Sequence, residues 1–208
     1  MNIRECRTWQ QVHDLAKPSV SLGGWQTHND SYIMYQGALE LKPGDRALVI
    51  GVYGGAQVIL LKMVQPEAEV WAIDPFCNET HWKNNGVHLV DHYYEQLRFA
   101  GLEGQINTLE KYSQEVGPTW DKPLNWALVD GDHSEEAAYS DLTHFAKHVV
   151  VGGLLYVDDM NATSAVRTAF NRWLAEEHET TDRRWTIEVR RSDEEPAVDK
   201  VWQLRRTA

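Results

Sequence analysis

Two short apolar runs that each stop at acidic residues constrain this chain more than any other feature. The run W-A-L-V at 126–129 leads into Asp130-Gly131-Asp132-His133, and L-L-Y-V at 154–157 leads into Asp158-Asp159. Short, uniformly apolar runs suit strands covered on both faces, the environment of a parallel sheet. The helix-length span between them provides the crossover that parallel neighbours need. In an open α/β sheet the ligand lies beyond the carboxyl ends of the strands. Both acidic clusters therefore fall where chemistry is expected, and we read them as one site.

The first half repeats the logic with a different turn. A strand at 47–50 runs into G-V-Y-G-G at 51–55, a helix spans 57–64, Pro66 breaks it, and a strand at 69–73 ends at Asp74. This is a βαβ unit of about the usual ~30 residues. Glycine permits turns closed to other residues and lets a ligand approach the backbone, while the helix start beyond favours anionic groups. Asp74 is placed to accept hydrogen bonds from ribose hydroxyls. Read blandly, the glycines make a tight turn and Asp74 opens a loop before Pro75. Tyr53 interrupts the dinucleotide pattern G-x-G-x-x-G, so a nucleoside cofactor without a pyrophosphate fits better than NAD.

Elsewhere the pattern predicts helices over 2–17, 32–41, 88–100, 135–148 and 163–177, a short helix at 113–116 and a weak strand at 105–109. The first rests on Ile3, Cys6, Trp9, Val12 and Leu15, spaced every three residues. Alternating segments around Trp185, Ile187 and Val189 and around Trp202 and Leu204 predict an antiparallel pair at the end of the sheet. The expected fold is α/β: one Rossmann-like, doubly wound, mostly parallel seven-stranded sheet with an antiparallel C-terminal hairpin strand. Residues 1–208 are read as a single domain, with 1–45 a helical cap or lid and 46–208 the core.

A net charge of −11 argues against nucleic acid and anionic lipid as partners, since both call for clustered Lys and Arg. No run is long and apolar enough for a membrane span. Cys6 and Cys77 lie in no metal-type spacing, so two free thiols in a reducing, cytoplasmic setting are expected. The 9 Trp and 8 Tyr would permit a homo-oligomeric interface.

Asp130, Asp158 and Asp159 at two neighbouring strand ends favour a hard cation such as Mg²⁺, because three crowded carboxylates otherwise repel. His133, near the start of the next helix, has an ordinary pKa close to neutrality and suits a general base; binding backbone at the helix start is the equal alternative. Asp132 and Ser134 read as helix-start residues.

Taken together, L-V-I-G-V-Y-G-G, A-I-D-P-F, V-D-G-D-H-S-x-E-x-x-x-x-D-L and G-G-L-L-Y-V-D-D resemble class I S-adenosylmethionine-dependent methyltransferases. More narrowly they resemble the metal-dependent O-methyltransferases of the catechol and macrolide-sugar types, over roughly 46–160. The resemblance implies that the turn Gly51, Tyr53, Gly55 wraps the methionine part of S-adenosylmethionine, that Asp74 binds the ribose, and that Ser113 lies near the adenine. It implies Asp130, also on the cofactor side, with Asp158 and Asp159 as metal ligands, and His133 as the base. Val49 stands where the family often has an acid. The implied reaction is methylation of a hydroxyl on a small molecule with vicinal oxygens, a sugar diol or catechol. Trp25, Tyr32 and Trp82, with segments 23–28, 76–86 and 160–164, are candidates for its wall. Competing readings are a degenerate S-adenosylmethionine-binding partner protein, an NAD-dependent oxidoreductase and an iron hydroxylase.

Overall fold

The computed structural model describes residues 2–15, 28–77, 88–160, 164–188 and 201–208. The strands are β1 Arg46–Ile50, β2 Glu69–Ile73, β3 Ile106–Leu109, β4 Leu124–Val129, β5 Val149–Val157, β6 Trp185–Glu188 and β7 Trp202–Arg206. They form one sheet of order β3-β2-β1-β4-β5-β7-β6. Strands β1 to β5 pair in parallel, and β7 runs antiparallel to both β5 and β6. The expected seven-stranded, mostly parallel sheet is thus the observed one.

Successive strand residues face opposite sides of a sheet. Ala47, Val49, Trp126, Leu128, Leu154 and Tyr156 accordingly join one buried cluster. Leu48, Ile50, Ala127, Val129, Leu155 and Val157 join the other. Both faces are apolar, so both must be covered, which is why the strands read as unbroken apolar runs. Val49 is fully buried in the first cluster, where it serves packing.

The helices are α1 Trp9–Leu15, α2 His28–Ala38, α3 Ala56–Val64, α4 Leu89–Ala100, α5 Ser113–Val116, α6 Glu135–Phe145 and α7 Ala165–Thr180. Buried residues of α1 to α4 pack in the first cluster, and those of α5 to α7 in the second. Ser134 caps α6 by accepting the Ala137 N–H, and Asp132 accepts the N–H of Ser134. Both residues therefore do the helix-start work expected of them. Ser164 caps α7 in the same way through the Arg167 N–H. Phe170 and Trp173 of α7 are buried, each contributing ~2 kcal/mol or more by leaving water.

One predicted element divides. The helix expected over 2–17 is a 3₁₀ turn, Ile3–Glu5, then α1, with Cys6 extended between them. A repeat of three suits a 3₁₀ turn as well as an α-helix, and Cys6, Trp9 and Val12 are buried all the same. The runs at 126–129 and 154–157 prove to be the buried carboxyl ends of longer strands. Among the described residues, no helix is long and apolar enough to cross a membrane. Cys6 and Cys77 are unbridged, the first buried and the second exposed.

Candidate active site

The strand order reverses between β1 and β4, which opens a crevice at their carboxyl ends. Gly51 leaves β1 there with φ of 79°. A Cβ on it would lie 1.7 Å from the Asp130 carbonyl oxygen, so only glycine allows the turns after β1 and β4 to touch. Asp74, at the end of β2, fixes the glycine turn from the other side. Its Oδ2 accepts the N–H groups of Val52 at 2.7 Å and Tyr53 at 3.0 Å, and its Oδ1 accepts that of Phe76 at 2.7 Å. A carboxylate offers about four acceptor positions, so Asp74 retains room for a ligand hydroxyl. Gly55 precedes α3 and supplies no side-chain cap, leaving the first N–H groups of that helix without side-chain acceptors.

Ser113 opens α5 just beyond β3 and is buried. One residue earlier, the exposed Tyr112 donates its hydroxyl to Cys77 Sγ at 3.6 Å, joining the exits of β2 and β3.

The acidic ends of β4 and β5 come together at this edge. Asp130, His133 and Asp159 each present a ligand atom, and these atoms all lie within 4.8 Å of one another. His133 Nδ1 stands 3.0 Å from Asp159 Oδ2, and its Nε2 stands 3.8 Å from Asp130 Oδ1. Asp158 is more deeply buried, and its Oδ1 accepts the Asp159 N–H at 2.8 Å. The turn after β5 thus points Asp159 at His133 while Asp158 braces the turn itself.

Electrostatics mark the same corner. Burial pushes the Asp130 carboxyl up to about 8; repulsion from Asp158 and Asp159 adds to this, and His133 opposes it. The His133 pKa is raised, first by its interaction with Asp130 and then by the charges of Asp159, Asp130 and Asp158, against a lowering by burial. Clusters of perturbed carboxyl and imidazole groups in a cleft are the mark of a functional site. Backbone strain falls here too. The described non-glycine residues at positive φ are Tyr53, Phe76 and Asp159, beyond β1, β2 and β5. Such conformations cost on the order of 1 kcal/mol or more and persist where surrounding structure enforces them.

Tyr32 is committed elsewhere: it donates its hydroxyl to the Arg7 carbonyl and stacks on Tyr35, tying the N-terminal segment to α2. Trp25 and Trp82 lie outside the described residues, as do most of 23–28 and 76–86 and part of 160–164. The sequence reading passed over Asp141 of α6, which is 1% exposed and whose carboxyl lies beside Gly131. Its signal was the D-L that closes the long motif after β4.

These features define a class I S-adenosylmethionine-dependent methyltransferase. A family model described as a methyltransferase domain matches residues 48–160, more than half of the chain, and the chain belongs to that family. Among solved structures it is similar to the O-methyltransferase NovP, at 18% identity and a TM-score of 0.66, covering 85% of this chain and 79% of that one. It is similar to an rRNA methylase from Streptococcus thermophilus at 10% identity and a TM-score of 0.64, covering 89% and 100%. The S-adenosylhomocysteine-bound methyltransferase PaMTH1 of Podospora anserina matches at 12% identity and a TM-score of 0.63, covering 96% and 86%. At these identities the likeness speaks for the fold, and that fold serves different acceptors.

Proposed function

We propose that this protein transfers the methyl group of S-adenosylmethionine to a hydroxyl of a small molecule bearing vicinal oxygens, a sugar diol or a catechol, with help from a hard divalent cation such as Mg²⁺. The observation that carries the reading is the convergence of Asp130, His133 and Asp159 beside the Gly51 turn. Two carboxylates on the carboxyl edge of the sheet fit a hard cation that completes its shell with water or acceptor oxygens, leaving the neighbouring imidazole free. Asp130 and Asp159 would hold it, with Asp158 adding charge from behind. When bound, the cation supplies acidity, lowering the pKa of an acceptor hydroxyl and fixing its neighbour.

The chain's own residues do the rest. The Gly51–Gly55 turn and the open start of α3 would receive the amino-acid end of the cofactor, Asp74 a ribose hydroxyl, and Ser113 the adenine side. The acceptor oxygen attacks the methyl carbon in line, the carbon–sulfur bond breaks, and S-adenosylhomocysteine leaves. His133 takes the hydroxyl proton. Engaging the carboxylates of Asp130 and Asp159 reduces the attraction that raises the His133 pKa, so the neutral ring becomes available as a base. Holding acceptor and methyl group in line accounts for most of the rate such a site can provide. The formal net charge of −11 favours a small acceptor over RNA.

The test is calorimetry of S-adenosylhomocysteine and of Mg²⁺ on wild type and Asp159→Ala, followed by methylation of a catechol and diol panel with Mg²⁺ or EDTA. The reading expects cofactor binding to both proteins, a metal signal in wild type alone, and turnover abolished by EDTA. Turnover that EDTA leaves unchanged would remove the metal from the mechanism.

A further inference from the structure

Arg167 lies at the acceptor end of the sheet, and the mechanism above does not use it. It stands in the first turn of α7, shortly after the β5 turn that carries Asp158 and Asp159. Ser164 Oγ ties the two together, donating to the Asp159 carbonyl at 2.7 Å and accepting the Arg167 N–H at 3.1 Å. The guanidinium returns to the same turn, where Nη1 donates to the Met160 carbonyl at 3.4 Å. Its Cζ lies 3.8 Å from the centroid of the Trp202 ring. Trp202 opens β7 opposite Val157, the last residue of β5, and its ring meets that of Phe170 edge-on. The aromatic platform is therefore on the ligand edge and is itself held in place. Stacking occupies the flat face of a guanidinium and leaves its five N–H groups around the rim. One of these reaches Met160; among the described residues, the others bond to nothing and no carboxylate pairs with the charge. Arg46, Arg172, Arg183 and Arg205, by contrast, each pair with a glutamate.

We propose that Arg167, held flat on Trp202, is a specificity-determining residue that binds a carboxylate carried by the acceptor, so that the substrate is an acidic diol or catechol. The proposal rests on the reading of the Asp130, His133 and Asp159 corner as the place where the acceptor's vicinal oxygens bind. The two groups flank one turn. Asp159 faces His133, which follows β4, while the guanidinium lies against the first residue of β7. An acceptor whose oxygens meet the first and whose carboxylate meets the second is held at both ends, which favours in-line attack. A planar guanidinium matches a planar carboxylate through two parallel N–H···O bonds. One positive charge balances one carboxylate, whereas a dianionic phosphate would leave surplus negative charge beside the acids of this corner. Fixing the guanidinium beforehand lowers the cost of ordering it on binding.

The experiment measures kcat/KM with S-adenosylmethionine and Mg²⁺ on two matched pairs of acceptors. These are 3,4-dihydroxybenzoate against 3,4-dihydroxybenzamide, and glucuronate against glucuronamide. Within the pair that is methylated, wild type is expected to prefer the acid by roughly tenfold or more, through KM, and the preference should shrink with added salt. Arg167→Met keeps an unbranched cover on Trp202 but removes the charge, and the ratio of acid to amide should fall to about one. Arg167→Lys keeps the charge without the fork and should retain part of the preference; it decides the matter if Arg167→Met fails to fold. A wild-type ratio near one, or a ratio that Arg167→Met leaves intact, would reduce Arg167 to a cover for Trp202 and overturn the proposal, while turnover of the neutral acceptors would leave the proposed function standing. No methylation of either pair would overturn the proposed acceptor class and this inference together.

Discussion

Asp74 and Asp130 are the same residue at the same place in the fold, the first position beyond a parallel strand, yet their surroundings are opposite. Asp74 is enclosed by donors: three backbone N–H groups from the turns after β1 and β2 end on its oxygens. Asp130 lies among acids: burial raises its pKa most, Asp158 and Asp159 add to this, and His133 opposes them. The first carboxylate is satisfied by the chain itself and stiffens the turn it belongs to. The second shares its corner with two further acids and one imidazole, and burial raises its pKa. One half of the sheet edge is thus held by backbone donors, whereas the other gathers carboxyl and imidazole groups. On the proposed function, the first half receives the cofactor and the second the acceptor with its cation.

The comparison breaks most sharply at Asp159. Asp159→Ala should lower methyl transfer on the order of 10³-fold, since in the proposed function the cation and the orientation of His133 would both depend on that carboxylate. Binding of S-adenosylhomocysteine should stay within about threefold of wild type. Equal loss of both would merge the two halves into one.

Gly51→Ala attacks the seam between them. Its Cβ would meet the Asp130 carbonyl oxygen at 1.7 Å with φ at 79°. A loss of ~3 kcal/mol or more in denaturant unfolding is expected, together with both binding functions. A stable variant with normal cofactor affinity would mean that the two turns can separate freely.

Asp74→Ala should fall on the cofactor side alone. Removing the acceptor of three N–H groups loosens the turn, and S-adenosylhomocysteine binding should weaken about 10²-fold while the Mg²⁺ signal persists. A vanished metal signal would show that Asp74 supports more than its own half.

The smallest effect concerns Asp141, whose carboxyl burial pushes up to about 7, above its ordinary 3.8. The folded state then holds a proton that the unfolded state has released, so this group's contribution falls as pH rises between those values. Relative to wild type, Asp141→Asn should gain about 2 kcal/mol on going from pH 5 to pH 8, read from urea unfolding at each pH. A flat difference would mean that Asp141 ionises as readily in the folded chain as in the unfolded one.

Much of this molecule was legible before any coordinates. Runs that are apolar on both faces call for a two-sided cover, and acids at their ends fall on the ligand edge. The glycine turn, the acid after β2 and the acids after β4 and β5 were all located that way. Other features were not legible. Spacing alone did not reveal that the segment 2–15 divides at Cys6, because burial of one stripe is satisfied by either helical form. Nor did the Asp158-Asp159 pair say which carboxylate would face His133. That goes with the left-handed φ of 54° at Asp159, whose carbonyl accepts the Ser164 hydroxyl.

The sequence by itself determined the layers, the strand ends and the kinds of groups along the ligand edge, because hydrophobic periodicity and chain order are local properties. Only the tertiary structure decided which carboxylate is satisfied, which is crowded and which lies buried beside Gly131. Those outcomes depend on the neighbours that packing brings from distant parts of the chain, and the energy of a charge is set by its neighbours.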